Sequence, residues 1–170
     1  MKKILSLLMA LVLVFGSMLI FASCGGDSGD NGPKSEIKAE DVNRGSITDA
    51  PSGYEKYQNE YCSFVYPSDS SRWGKSFNYA QGMFMVIDLS NNNNISIYIS
   101  DGAPSVDAEE KVEASEGVYT STEDGKNVIY VTSYDQTLDL GCVAKVTYTE
   151  GTDVSYFINI INSIQLHNPD

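Results

Sequence analysis

Three kinds of group in this 170-residue chain could do chemistry: cysteine thiols, one imidazole and a large excess of carboxylates. Cys24 stands where an apolar run gives way to a glycine-rich stretch, a place where a thiol is open to covalent modification. Cys62 and Cys142 stand in strand-like stretches. Alternation puts Cys62 on a face with Phe64 and Tyr66, and Cys142 with Ala144, Val146 and Tyr148, so both should point into a core. Outside the cytoplasm these two can form a disulfide. Buried free thiols are the equal alternative, because strand geometry decides whether the bond closes. His167 is the only histidine, which excludes a hydrolase triad or a histidine metal cluster in their usual forms. Asp69, Asp88, Asp101, Asp135 and Asp139 could supply an acid pair for hydrolysis, although nothing in the sequence pairs them. The chain has no phosphate loop, no dinucleotide glycine fingerprint and no Cys-x-x-Cys, so no cofactor is expected.

Tyrosine is the other excess: there are eleven, all after residue 53. Tyr98, Tyr130 and Tyr148 occupy strand positions and read as packing residues. Tyr54, Tyr57 and Tyr79, together with Trp73, lie outside obvious strands. They form a candidate interaction patch, since Tyr and Trp give large contact area at low entropic cost. Packing is the stronger of the two readings.

The segment that must position Cys24 begins with Lys2 and Lys3, runs through an apolar stretch from Ile4 to Ala22, and ends in the small pair Ala22-Ser23. That is the pattern of a targeting segment, 1–23, removed before the chain folds. Its loss leaves 9 basic against 23 acidic side chains, a formal charge of −14. Such a surface repels phosphate backbones and anionic lipid headgroups, so nucleic acid is excluded as a partner. From Gly25 to Gly53 the chain holds six glycines, two prolines and no aromatic residue, which predicts a flexible spacer over 24–53. Within it "DSGDNG", Asp27 to Gly32, lacks the alternating oxygens and closing Glu of a calcium loop. No metal site is expected there.

Aromatic residues begin at Tyr54, so one globular domain is expected over 54–166, with 167–170 as a tail. "YCSFVYP", "GMFMVIDL", "ISIYIS", "VYTS", "NVIYVTSY" and "CVAKVTYT" read as strands. Ser90 to Asn94 reads as one hairpin turn and Asp124-Gly125 as the tip of another. Asp107, with Glu110 three residues on, predicts a capped helix through Glu116. Its Glu109, Glu113 and Glu116 share a face that reads as solvated rather than metal-binding. Val154, Phe157, Ile158, Ile161 and Ile164 predict a closing helix with Thr152 or Asp153 as its cap. The expected class is α+β, an antiparallel sheet flanked by helices.

Two resemblances add to this. Phe21-Ala22-Ser23-Cys24 resembles the lipobox of bacterial lipoproteins, with Phe21 where an aliphatic residue is usual. The resemblance implies that Cys24 receives a diacylglyceryl group and becomes the new N-terminus; two acyl chains give a stable anchor where one does not. The chain would then sit on the cell membrane facing outside the cytoplasm. "YQNEYCSFVYPSDSSRW", the asparagine hairpin and "YFINIINSIQL" are similar to the PsbP-like group, which shares its fold with a nuclear-import factor that binds the GTPase Ran. That similarity implies an α/β/α sandwich acting through its surface, with no site residues to carry over. The expected role is a membrane-anchored, non-catalytic binding or assembly module with a protein partner. The alternatives are a receptor for a small solute or carbohydrate with an aromatic pocket, and an acid-pair hydrolase.

Overall fold

The structure is a computed structural model and describes residues 33–106 and 112–167. The expected targeting segment, lipobox, Cys24, the spacer as far as Gly32, and Asn168 to Asp170 of the tail lie outside the described residues.

Antiparallel pairing dominates. Strands β1 (Tyr54–Gln58), β2 (Cys62–Pro67) and β10 (Gln165–Leu166) form a three-stranded sheet in the order β1-β2-β10. A second sheet has seven strands in the order β3-β4-β5-β9-β8-β7-β6. They are β3 (Trp73–Asn78), β4 (Met83–Asp88), β5 (Asn93–Asp101), β6 (Val112–Ser115), β7 (Val118–Glu123), β8 (Lys126–Asp135) and β9 (Leu140–Tyr148). Helix α1 (Ser155–Ser163) precedes β10 and buries Phe157, Ile158, Ile160 and Ile161 in the common core. That core lies between the large sheet on one side and α1 with the small sheet on the other; Phe64, Phe84, Ile95, Ile97, Ile129 and Val146 are all within 1 % of complete burial.

The fold is therefore mainly β, and the expected α+β class with flanking helices is corrected. The helix expected over Asp107–Glu116 is the reason. Val112–Ser115 is instead strand β6, pairing with β7, while Asp107–Lys111 lie outside the described residues. Capping residues and acidic periodicity favour a helix locally, but ladder bonds to Val118, Tyr119 and Thr120 give Val112–Ser115 a partner that a lone surface helix would lack. The α/β/α sandwich implied by the PsbP-like resemblance falls with it. Among the described residues no helix is long and apolar enough to cross a membrane.

Both hairpin tips form as the sequence predicts. Asp124 and Gly125 take φ of 49° and 74°, the two positive values that match the twist of the flanking strands β7 and β8. Asn92 takes φ 59° between β4 and β5. The next asparagine, Asn93, is fully buried; its Oδ1 accepts the Thr149 amide at 3.0 Å and its Nδ2 donates to Thr152 Oγ1 at 2.7 Å. This ties the turn to the loop that enters α1, where the Asp153 carboxylate accepts the amide of Ser155 at 3.0 Å.

Within the expected spacer, the part from Lys34 to Ile47 instead lies along α1. Val154 donates its amide to Lys34 O at 2.7 Å, and Asn43 donates to Asn162 Oδ1 at 2.7 Å. Asn162 Nδ2 in turn donates to Asp41 O at 2.9 Å, and Ile37 is 3 % exposed within the core. Composition hides this, because one buried isoleucine and one bridging asparagine supply what a glycine-rich average conceals. His167, expected in a loose tail, donates its amide to Tyr61 O at 2.8 Å, and its Nε2 lies 2.9 Å from Ser63 Oγ.

Candidate functional site

Three cations, Arg72, Lys75 and Lys145, share one arrangement: each lies over an aromatic ring, with a carboxylate holding it there. Arg72 follows the loop after β2, and its guanidinium lies 5.0 Å from the Trp73 ring centre and 4.9 Å from that of Tyr156. Its Nε and Nη2 donate to Asp88 Oδ2 at 3.2 and 2.8 Å. Asp88 is 1 % exposed, and its other oxygen accepts the amide and hydroxyl of Ser90 at 2.9 and 2.6 Å. Burial alone would raise the Asp88 carboxyl, but the hydrogen bonds from Arg72 and Ser90 outweigh it and hold the group below the usual carboxylate range.

The second cluster joins the small sheet to the edge of the large one. Lys75 Nζ sits 4.4 Å from the Tyr66 ring centre, and the Tyr66 hydroxyl donates to Glu55 Oε2 at 2.6 Å. That bond, with the Lys75 charge, holds the Glu55 carboxyl low. The third lies on the solvent side of the large sheet, where Lys145 Nζ is 5.4 Å from the Tyr130 ring centre and donates to Glu123 Oε2 at 2.6 Å. The Tyr130 hydroxyl donates to Glu123 Oε1 at 2.5 Å. Burial would lower the Lys145 ammonium, yet Glu123 and Tyr130 more than offset it and raise its pKa. Sheet pairing sets all three, since Glu55 faces Tyr66, Trp73 faces Asp88 and Tyr130 faces Lys145 across adjacent strands.

The expected patch of Tyr54, Tyr57, Trp73 and Tyr79 does not assemble on the surface. Trp73 is 5 % exposed and packs on Phe157 of α1 at 5.8 Å. Tyr57 is 8 % exposed among Phe64, Phe77 and Phe84, with ring centres 4.9, 5.0 and 5.0 Å away. Tyr54 is half-buried beside Tyr156, and its hydroxyl accepts Asn159 Nδ2 at 2.9 Å. Tyr79 opens a short 3-10 turn, Tyr79–Gln81, between β3 and β4. Tyr57 and Trp73 thus belong to the core, while Tyr54 packs at its margin against Tyr156. Tyr148 is core as expected, whereas Tyr98 is 41 % exposed.

Cys62 and Cys142 are buried free thiols rather than a disulfide. Burial pushes both up to about 12, which leaves them protonated and unreactive near neutrality. Among the described residues no three His, Cys, Asp or Glu side chains are grouped to hold a metal ion. Of the acid-pair candidates, Asp88 is bound to Arg72, and Asp69 accepts the amide and hydroxyl of Ser71. Asp135 accepts the amides of Thr137 and Leu138, and Asp139 accepts the Tyr134 hydroxyl at 2.7 Å.

The exposed rings lie outside the expected patch. Tyr61, at 39 %, and Tyr134, at 43 %, stand at one end of the domain, each beside an acidic neighbour in sequence: Glu60-Tyr61 and Tyr134-Asp135. A tyrosine with an adjoining carboxylate at a strand terminus is the signal that could have found them. Two separate open grooves lie beside these rings. One of about 440 Å³ runs between Tyr61, Gln81, Asp101 and Leu140. Another of about 310 Å³ is bounded by Arg44, Tyr134, Asp135 and Leu166.

No family model matches the chain, and no curated protein matches it. A crystal structure of a protein from Bacteroides thetaiotaomicron is similar to it with a TM-score of 0.40 and 12 % identity, over 68 % of this chain and 49 % of that one. The chain thus spans about half the length of that protein.

Proposed function

We propose that this chain is a lipid-anchored binding or assembly module, displayed outside the cytoplasm through Cys24 and acting through the surface of its β-domain on a protein partner. The observation that carries the reading is the placement of large side chains. Tyr61, Leu89, Tyr98 and Tyr134 remain 39–54 % exposed on a scaffold whose other aromatic residues are largely committed to the core or to internal ion clusters. Exposed tyrosines on rigid strands are contact residues that lose little entropy on binding. The lipobox-like Phe21-Ala22-Ser23-Cys24 supports the membrane address.

Labelling of cells with a radioactive lipid precursor should mark the full chain and leave Cys24→Ala unmarked. In the same membranes, a photo-crosslinking residue placed at Leu89, Tyr98 or Tyr134 should give a discrete protein adduct. Equal labelling of the two chains removes the anchor, and background alone at all three positions removes the binding module.

A further inference from the structure

One face of the seven-stranded sheet looks away from the core, and both α1 and the small sheet lie on the other side of it. Alternation along β4 buries Phe84, Val86 and Asp88 and turns Met83, Met85 and Ile87 outward, where they remain half-buried. Register carries this apolar row across the sheet: Met83 faces Tyr98 on β5, and Tyr98 faces Val143 on β9. Leu89, just past β4, extends it, since a Cβ placed on Gly74 of β3 would meet Ile87 Cγ2 at 2.9 Å and Leu89 Cδ2 at 3.2 Å. Among the described residues, the large apolar side chains left exposed are Leu89, Tyr98 and Tyr134 on this face and Tyr61 off it.

Charge sets the face apart as well. The outward positions of β3, β4, β5, β7, β8 and β9 hold Glu123, Lys126 and Lys145 and no other charged side chain, in a chain of formal charge −12. Lys145 and Glu123 are bonded to one another, and Lys126 donates to the Asn92 carbonyl at 3.2 Å. These six strands thus keep the acidic excess off their outward face. Two acidic copies can meet here without opposing unpaired carboxylates.

The area is adequate too. Seven strands, mostly six to ten residues long, cover roughly 29 by 20–30 Å, or roughly 600–900 Å². A standard interface uses about 800 Å² per partner. Copies that meet about a two-fold axis set the same apolar row against itself, and stacked sheets seat such rows roughly 10 Å apart.

We infer that the outward face of the seven-stranded sheet docks a second copy of this chain, sheet on sheet, with Met83, Met85, Ile87, Leu89, Tyr98 and Val143 at the centre. The paired Lys145 and Glu123 lie towards the rim, where an ion pair that is already satisfied costs little to cover. The inference rests on the binding-module reading and names the partner as another copy.

Two differently tagged forms of the full chain, co-expressed with a photo-crosslinking residue at Leu89, Tyr98 or Tyr134, should give an adduct that contains both tags. An adduct with a different protein overturns the second copy and leaves the binding module standing; background alone at all three positions overturns both. Sedimentation equilibrium of the full chain in density-matched detergent should show monomer and dimer. Added salt should tighten the dimer by about two- to fivefold, because screening relieves the repulsion between acidic copies. Leu89→Asp and Tyr98→Asp should each weaken it by about tenfold or more, and Tyr98→Ser, which adds no charge, by about threefold. Tyr61→Asp adds the same charge at a similarly exposed ring off this face and should weaken it by less than about twofold. Thermal unfolding of each variant checks that the fold is intact. A chain that stays monomeric at its highest soluble concentration, a dimer unchanged by Leu89→Asp combined with Tyr98→Asp, or an equal loss with Tyr61→Asp would overturn the inference.

Discussion

Asp88 holds the join between β4, the loop before β3 and helix α1, because the Arg72 it binds also stacks on Trp73 and Tyr156. Its folded pKa is depressed. The stabilisation it brings is thus complete above the unfolded carboxyl value, about 3.9, and is lost as pH falls through that value towards the lower folded one. Asp88→Asn should cost about 2–3 kcal/mol at pH 7, since a partly buried guanidinium loses its counter-charge. Urea unfolding should show the difference from wild type shrinking near pH 3; an equal loss at both pH values would sink the ionic account. The sequence shows that Asp88 is acidic and ends a strand. That Arg72 reaches it is invisible, because the contact depends on the register of β3 against β4 and not on spacing along the chain.

Turns were the legible elements, for a local reason: Asp124-Gly125 and Asn92 accept positive φ at low cost wherever the chain places them. Strands β3 and β6 were not legible. Gly74, Lys75 and Ser76 have weak strand preference, and Val112–Ser115 follows a helix-like cap; both segments become strands because a neighbour offers a ladder. The contrast between local and long-range demands predicts two glycine substitutions. Gly125→Ala, at φ 74° with open space around it, should cost about 1 kcal/mol from backbone strain. Gly141→Ala has ordinary φ, but its Cβ would stand 2.3 Å from Gly102 O and 2.9 Å from Pro104 Cδ. It should cost about 2 kcal/mol or more, through displacement of the segment that follows β5. Chemical denaturation of the two variants checks the order; a larger loss at Gly125 would reverse the argument.

At the scale of the molecule, the domain begins earlier than composition implies. A chain starting at Tyr54 lacks Ile37 and the bonds from Lys34, Asp41 and Asn43 to α1, while one starting at Pro33 keeps them. Removing one buried isoleucine side chain typically costs about 2–5 kcal/mol, so the shorter chain should melt far lower or aggregate. Circular dichroism melting of both chains checks this, and matching curves would return Pro33–Gly53 to the role of spacer. The same strap explains why the candidate site was only half legible. Tyrosine alternation shows which face of a strand a ring occupies, but the elements that cover the face come from the two ends of the chain.

The pairing of β2 with β10 has a kinetic meaning. β1 is at hand as soon as β2 is made, but the other edge of β2 waits for Gln165 and Leu166, about a hundred residues later. α1, which fills the space under both sheets, is also made near the end. Contacts so distant in sequence are slow to form, because the loop must close before burial rewards it. The core under both sheets is therefore completed only when residues 155–166 are in place, whereas the hairpins of the large sheet pair neighbours close in sequence.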